Sequence, residues 1–396
     1  MTITLRPHQQ RILDRMLGYT KGQILVPTGG GKTLTMILDT QRRHDSITNG
    51  TTTVVVAPRI LLAEQLCSEF LEVIDTANTH IMHVHSGETH HYSSTKADKI
   101  HMFANTARTA GENVVIFTSY NSLQRIVDAD IEVNTIYFDE AHNSVKRNFY
   151  PATEFFAENA DRCYFYTATP KHSLTPKKPG MNWSVYGQVL VNVPAPELVE
   201  GGFILPPKVV VKQLPVIKGR KVMYAEDSDN LIETIDDNDI SKTLICARTT
   251  KQIVGLLSQS DFCSQLADRG YSWMTITSKT GAIIDGKKVN REEFFNTLNT
   301  WGKDATKKFV VIHHSILSEG INVSGLEAVI FMRNMDYIGI SQSIGRVIRL
   351  GGKEKTFGLV CVPTYDSVGI STARKVQAVV DVVFNQGQPA ISEIRR

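Results

Sequence analysis

The chain has 396 residues, 42% hydrophobic and 21% charged, with a formal net charge of +3; that length fits two domains of about 200 residues better than one core. No apolar run approaches the roughly 18 residues that span a bilayer and the start MTITLRPHQQ has no signal-peptide pattern, so a soluble, intracellular protein (cytoplasm or nucleoid) without a membrane partner is expected. Five cysteines without a C-x-x-C pair argue for a reducing compartment and against a structural zinc, and so mild a charge permits nucleic-acid binding without arguing for it.

Taken in order, Leu5-Arg-Pro-His-Gln-Gln-Arg-Ile-Leu13 reads as a short helix with Pro7 in its first turn. The apolar run Gln23–Val26 predicts a strand, and Leu34 onward predicts a helix. Between them lies Pro27-Thr-Gly-Gly-Gly-Lys-Thr33. Consecutive glycines let backbone N–H groups curl around a polyphosphate, and the helix start adds partial positive charge. Thr28, Gly29, Gly30, Gly31, Lys32 and Thr33 are therefore candidate nucleotide-binding residues. Lys32 is expected to reach the β/γ-phosphates of ATP, and the Thr33 hydroxyl to hold Mg2+. The strict pattern has Gly where Val26 stands.

Apolar runs then alternate with helical patterns: QILVP, TTVVVAP, HIMHVH, NVVIFTS, TIYFDE and RCYFYTA. Continuous β-branched runs separated by helix-length segments predict a parallel sheet covered on both faces. Residues 171–208 are rich in Pro, Lys and Gly and read as an elaborated exit, with one helical turn around Pro196–Glu200. A second series follows: KVVVKQL, TLICA, WMTITS, KFVVIHH, AVIFMR and FGLVCVP. The fold class is thus α/β with two sheets, in domains 1–207 and 208–396. The acidic stretch Glu226–Asp239 reads as a solvated helix and its loops. Six of the twelve histidines lie between His80 and His101. His83 and His85 alternate along a strand, but no Cys or carboxylate stands at ligand spacing nearby, so ordinary strand and loop histidines are expected there.

About a hundred residues after Lys32 comes Thr135-Ile-Tyr-Phe-Asp-Glu-Ala-His142. A strand ending in two acids suits a nucleotide hydrolase: Asp139 for the Mg2+ shell, Glu140 to orient and deprotonate the attacking water.

With these residues in view, the chain resembles superfamily 2 helicases and translocases along nearly its whole length. Pro27–Thr33 resembles motif I, whose family form tolerates a non-Gly first position. Ala57–Gln65 resembles motif Ia, Phe117–Asn121 motif Ib, Asp139–His142 motif II and Thr167–Pro170 motif III. Cys246–Thr250 sits where motif IV belongs, Leu317–Asn322 resembles motif V and Gln342–Arg349 motif VI. The resemblance implies two tandem RecA-like domains, with ATP and Mg2+ held by the first. Catalysis is then expected from Lys32, Asp139, Glu140, Gln342, Arg346 and Arg349, the arginines one helical turn apart on one target. Gln9 is expected to read the adenine edge, and Gly320 and Asn322 to join the nucleotide site, with Asn322 standing where many relatives have Asp. His142, Thr167 and Thr169 are expected to couple the domains. Arg59, Thr118, Ser119, Arg248, Thr249, Ser278 and Ser318 are the expected track for a nucleic-acid backbone.

The surroundings of motif VI and the stretch Val185–Lys208 look more like restriction-enzyme motor subunits and phage branch-migration helicases than like the RNA helicases that share the DEAH letters, so DNA is favoured over RNA. A viral or mobile-element motor, or one acting with a protein partner, fits this. An RNA helicase, an ATP-gated clamp that barely cycles and a P-loop kinase of a small molecule remain the alternatives. A nucleic-acid-stimulated ATPase assay separates them.

Overall fold

A computed structural model describes residues 3–87, 89–214, 220–247, 249–277, 279–314, 325–332, 340, 343–344, 347, 357–365, 374, 376–378, 380 and 392–395. The chain divides into two compact units, Met1–Val193 and Pro194–Arg396.

The first unit begins with α1 (Pro7–Gly18), β1 (Lys21–Leu25), α2 (Lys32–Ser46), β2 (Thr52–Ala57), α3 (Ile60–Leu71), β3 (Thr79–Val84) and β4 (Tyr92–Ser93). It continues through α4 (Ala97–Thr109), β5 (Asn113–Ser119), α5 (Leu123–Asp128), β6 (Thr135–Phe138), α6 (Tyr150–Asn159), β7 (Arg162–Thr167) and β8 (Val189–Asn192). Its strands lie in the order β4-β3-β5-β2-β6-β7-β1-β8, with every pairing parallel. In a parallel sheet the loops after the strands all leave from one edge, where open α/β sheets bind ligands. Lys32 opens the helix that follows the β1 loop, and the loops after β2, β5, β6 and β7 carry Arg59, Tyr120, Asp139 and Thr169 respectively.

The strands form where β-branched and aromatic residues run uninterrupted. β2 and β5 are buried along their whole length, as strands covered on both faces must be. The helices read by period: α3 buries Leu62, Ala63, Leu66, Cys67 and Phe70, a stripe at i, i+1, i+4, i+5 and i+8. Val54, Val56, Ile116, Ile136, Phe138, Phe165 and Tyr186 meet in the core. The exit segment was expected to carry only a helical turn, yet Val189–Asn192 pairs with β1 as the last strand of the first sheet.

The second unit carries α7 (Ala195–Glu200), β9 (Pro207–Leu214), α8 (Arg220–Asp237), β10 (Lys242–Cys246), α9 (Thr250–Gln259), α10 (Phe262–Asp268) and β11 (Tyr271–Thr277). There follow β12 (Gly281–Ile284), β13 (Lys287–Val289), α11 (Arg291–Lys303), β14 (Lys308–His313), β15 (Ala328–Phe331), β16 (Gly358–Tyr365) and β17 (Ser392–Arg395). Its sheet has the order β13-β12-β11-β14-β10-β15-β16-β9-β17. The β11-β12-β13 pairings are antiparallel and the others parallel. The unit has its own core, with Ile235, Ile245, Leu256, Phe262, Val310 and Ile312 among its buried members. The helical turn expected near Pro196–Glu200 is α7. Both units are parallel-sheet α/β bodies of RecA-like type.

Candidate nucleotide site at the edge of the first sheet

The turn after β1 is shaped by two left-handed glycines, Gly29 at φ 87° and Gly31 at φ 77°. Only glycine holds such angles without strain. Gly31 caps α2, and a Cβ placed on it would collide with the Gln9 amide. Three side chains at the start of α1 engage the carbonyls of this turn in succession. An Arg6 guanidinium N–H donates to the Gly29 carbonyl at 3.3 Å, His8 Nε2 donates to Gly30 at 2.7 Å and Gln9 Nε2 donates to Gly31 at 3.1 Å. With its carbonyls fixed toward α1, the turn is held in the conformation of an anion-binding nest. Gln9 Oε1 also accepts from the Arg6 amide at 3.0 Å. Both ends of the Gln9 amide, expected to read adenine, are therefore engaged by the protein. Arg6 and His8 were not singled out from the sequence; the adjacent LRPHQ pattern was the available signal.

Lys32, the first residue of α2, reaches across to the end of β6. Its Nζ lies 2.9 Å from Glu140 Oε1 and 3.7 Å from Asp139 Oδ1. Burial pushes the Asp139 carboxyl above its ordinary range, Lys32 opposes that rise and the neighbouring Glu140 charge adds to it. Asp139 Oδ1 is buried with no hydrogen bond. Such an oxygen, beside a lysine and a threonine-bearing helix start, fits a hard, oxygen-preferring dication. The donor set is therefore compatible with Mg2+ at Asp139 and Thr33.

Glu140 adopts φ 47°, ψ 51° at the head of a 3₁₀ turn spanning Ala141–Asn143. A non-glycine residue there stores roughly 1–3 kcal/mol, a cost found where backbone is held for function. The surrounding bonds hold it. Tyr120 Oη donates to the Asp139 carbonyl at 2.9 Å, and Asn143 Nδ2 donates to the Glu140 carbonyl at 3.1 Å. Asn143 Nδ2 also donates to His142 Nε2 at 3.2 Å. That leaves the proton of neutral His142 on Nδ1, where it donates to Thr167 Oγ1 at 3.0 Å. The Thr169 amide donates to the same hydroxyl at 3.1 Å. His142, Thr167 and Thr169 thus form one chain between the ends of β6 and β7, inside the first unit.

The expected backbone track is placed unevenly. Arg59 stands at the N-cap of α3, and Ser119 Oγ lies 3.4 Å from Ser122 Oγ. Thr118 requires correction. It is fully buried and its hydroxyl donates to the Val84 carbonyl at 2.8 Å, so this side chain faces the core and not a groove. Thr249 caps α9, its hydroxyl accepting from the Gln252 amide at 3.1 Å. Arg248, Ser278, Ser318, Gly320, Asn322, Gln342, Arg346 and Arg349 lie outside the described residues.

Two RecA-like units, the first with Lys32 set between Asp139 and Glu140, are an architecture that solved helicase and restriction-enzyme structures share in fold. Residues 2–172 match the family model described as type III restriction enzyme, res subunit. That match falls within the first unit, which carries a domain of this res-subunit type. It is similar in fold to the ATP-dependent type ISP restriction-modification enzyme LlaBIII bound to DNA, at TM-score 0.73 and 17% identity, covering 100% of this chain and 31% of that one. It is also similar to Mss116p bound to ssRNA and AMP-PNP, at TM-score 0.64 and 14% identity, covering 99% of this chain and 74% of that one. A fragment of a putative HsdR subunit of a type I restriction enzyme from Vibrio vulnificus YJ016 gives TM-score 0.61 and 14% identity, covering 98% of this chain and 66% of that one. The chain therefore spans under a third of the LlaBIII enzyme. No curated protein matches the sequence. Among the described residues no helix is long and apolar enough to cross a membrane.

Proposed function

We propose that the chain is a nucleic-acid-stimulated ATPase that moves along a strand, with DNA as its track. The observation that carries this reading is Lys32 held between Glu140 and Asp139 at the ligand-binding edge of a parallel sheet. The Lys32 ammonium is paired with both acids. Phosphate oxygens arriving at the glycine turn compete for it, and as Lys32 turns to them Glu140 is released to act as base. Its carboxylate takes a proton from the attacking water, while Asn143 and the His142–Thr167 bond keep it aimed. Thr33 and Asp139 would hold Mg2+, which would supply positive charge to the phosphates when bound.

The resemblance assigns charge stabilisation on the transferred phosphoryl group to Gln342, Arg346 and Arg349, and nucleotide contacts to Gly320 and Asn322. Arg59, Ser119, Arg248, Thr249, Ser278 and Ser318 remain the proposed backbone contacts, and a protein partner is compatible with this role. DNA is favoured because Val185–Lys208 resembles the corresponding region of restriction motors and because the LlaBIII relative is DNA-bound.

Steady-state ATPase with saturating single-stranded DNA, duplex DNA and RNA tests the reading. We expect DNA to stimulate turnover, and Arg349→Ala to lower stimulated turnover by roughly 10²-fold or more while ATP affinity stays within a few-fold. Equal stimulated rates in wild type and Arg349→Ala would remove the assigned role of motif VI. Stimulation by RNA alone would overturn the choice of DNA, and no stimulation by either would favour a clamp.

A further inference from the structure

The histidines near β3, expected to be ordinary strand and loop residues, acquire a cysteine partner in the fold. Cys67 comes from α3, and its thiol lies with ring nitrogens of His83 and His91 in a group whose ligand atoms are all within 4.8 Å of one another. Tetrahedral zinc, with bonds of about 2.0–2.3 Å, needs such atoms roughly 3.6 Å apart. A modest side-chain closure, led by the less buried His91, makes up the difference. The cluster is separated from the P-loop strand β1 by β5, β2, β6 and β7 in the sheet order.

A second observation concerns His83 itself. The Gly87 amide donates to His85 Nδ1 at 3.2 Å, which leaves the proton of neutral His85 on Nε2. That nitrogen lies 2.9 Å from His83 Nδ1 and donates to it. His83 Nε2 is buried with no hydrogen bond. His83 also stacks between Phe117 and His91, with centroids 5.6 and 5.5 Å away, so the ring is fixed while one of its nitrogens has no partner. Buried nitrogens without partners are rare and ask for a ligand. The burial that isolates this ring also disfavours its protonated form, as a metal-ligating imidazole requires.

We propose that Cys67, His83 and His91 form a site for a zinc-class divalent cation, oriented from behind by His85. One thiolate with two imidazoles is a borderline-soft donor set, suited to Zn2+ or Co2+ and unsuited to Mg2+. Loading releases the Cys67 thiol proton to solvent and moves the His83 proton from Nε2 to Nδ1. The His85 proton shifts in turn from Nε2 to Nδ1, so that His83 Nδ1–H donates to His85 Nε2 as an outer support of the kind metal-bound histidines use, and His85 Nδ1 gives up the Gly87 amide. The ion ties α3, which begins just after Arg59, to β3 and to the segment entering β4.

The test is a Co2+ titration of the untagged full chain without nucleotide, read by thiolate-to-cobalt charge-transfer absorption, with Zn2+ as competitor. We expect one cobalt per chain giving that band, displacement by zinc, and a rise in melting temperature on zinc addition. Cys67→Ala should abolish the band. His91→Ala, which removes only the outer ring stacked on His83, should weaken cobalt binding at least about tenfold, whereas Asp139→Asn should leave the band unchanged. No charge-transfer band, a band that persists in Cys67→Ala (a thiolate elsewhere, such as Cys246 beside His313), or unchanged affinity in His91→Ala would each overturn the site.

Discussion

The helix α2 meets buried carboxylates at two places on one face, seven residues and so two turns apart, and the two are built differently. At Asp39 both oxygens are taken. Arg42 and Arg43 reach Oδ1, the second at 2.9 Å, Arg43 Nε donates to Oδ2 at 3.1 Å and Tyr137 Oη donates to Oδ2 at 2.7 Å. At Lys32 two carboxylates share one ammonium, and Asp139 Oδ1 has no hydrogen bond. Tyr137 and Asp139 stand two residues apart at the end of β6, so one strand serves both clusters. A saturated buried carboxylate holds the fold together; an under-saturated pair with a strained backbone is poised for a ligand. Burial alone does not distinguish the two. The count of satisfied oxygens does.

The largest effect should come from breaking the poised cluster. Glu140→Gln keeps the shape and removes the proposed base, so under the proposed mechanism stimulated ATP turnover should fall by roughly 10²–10⁴ while nucleotide binding and melting temperature stay near wild type. Single-turnover hydrolysis beside a thermal melt reads both. Turnover near wild type would show that another group takes the proton. The opposite pattern is expected at Asp39. Asp39→Ala strands two arginines and a buried tyrosine hydroxyl, and should cost roughly 2–4 kcal/mol of stability, read by denaturant unfolding, with turnover per folded molecule retained. If Asp39→Ala and Glu140→Gln lose stability equally, the contrast between the clusters fails.

The poised cluster was legible because its chemistry lies in short contiguous strings: PTGGGKT after an apolar run, and two acids closing TIYF. The main strands were legible for a related reason, since a strand buried on both faces writes a continuous β-branched run. What was missed depends on contacts between distant segments. Asp39 sits mid-helix in a plain LDTQRR stretch, and nothing local announces that Tyr137, 98 positions on, donates to it. The β8 strand hides in four residues of a Pro- and Gly-rich exit and is strand only because β1 offers an edge. The β12–β13 hairpin did have a local signal, Asp285-Gly286, whose positive φ values of 44° and 81° suit a two-residue turn. Cys67 is sixteen residues from His83, so ligand spacing along the chain could not reveal their approach.

A smaller effect sharpens the comparison at the far end of the same helix. His44, in the last turn of α2, is neither paired like Asp39 nor poised like Asp139. Its Nε2 is buried without a hydrogen bond, and Thr79 Oγ1 lies 3.5 Å from Nδ1. Burial lowers its pKa to about 4, against a smaller upward pull from Asp45. The folded protein therefore favours neutral His44, whereas the unfolded chain takes up the proton near pH 6.5. A pKa depressed on folding gives stability that is present above the unfolded value and lost as pH falls toward the folded one. Replacing the imidazole by a non-titrating side chain, as in His44→Gln, removes this dependence. The melting temperature of wild type minus that of His44→Gln should stay constant above pH 7, then fall as pH drops from about 6.5 to about 4. Melts across that range without nucleotide provide the measurement. A difference that stays constant throughout would mean that His44 is solvated in the folded protein, and that this end of α2 opens more readily than its buried contacts imply.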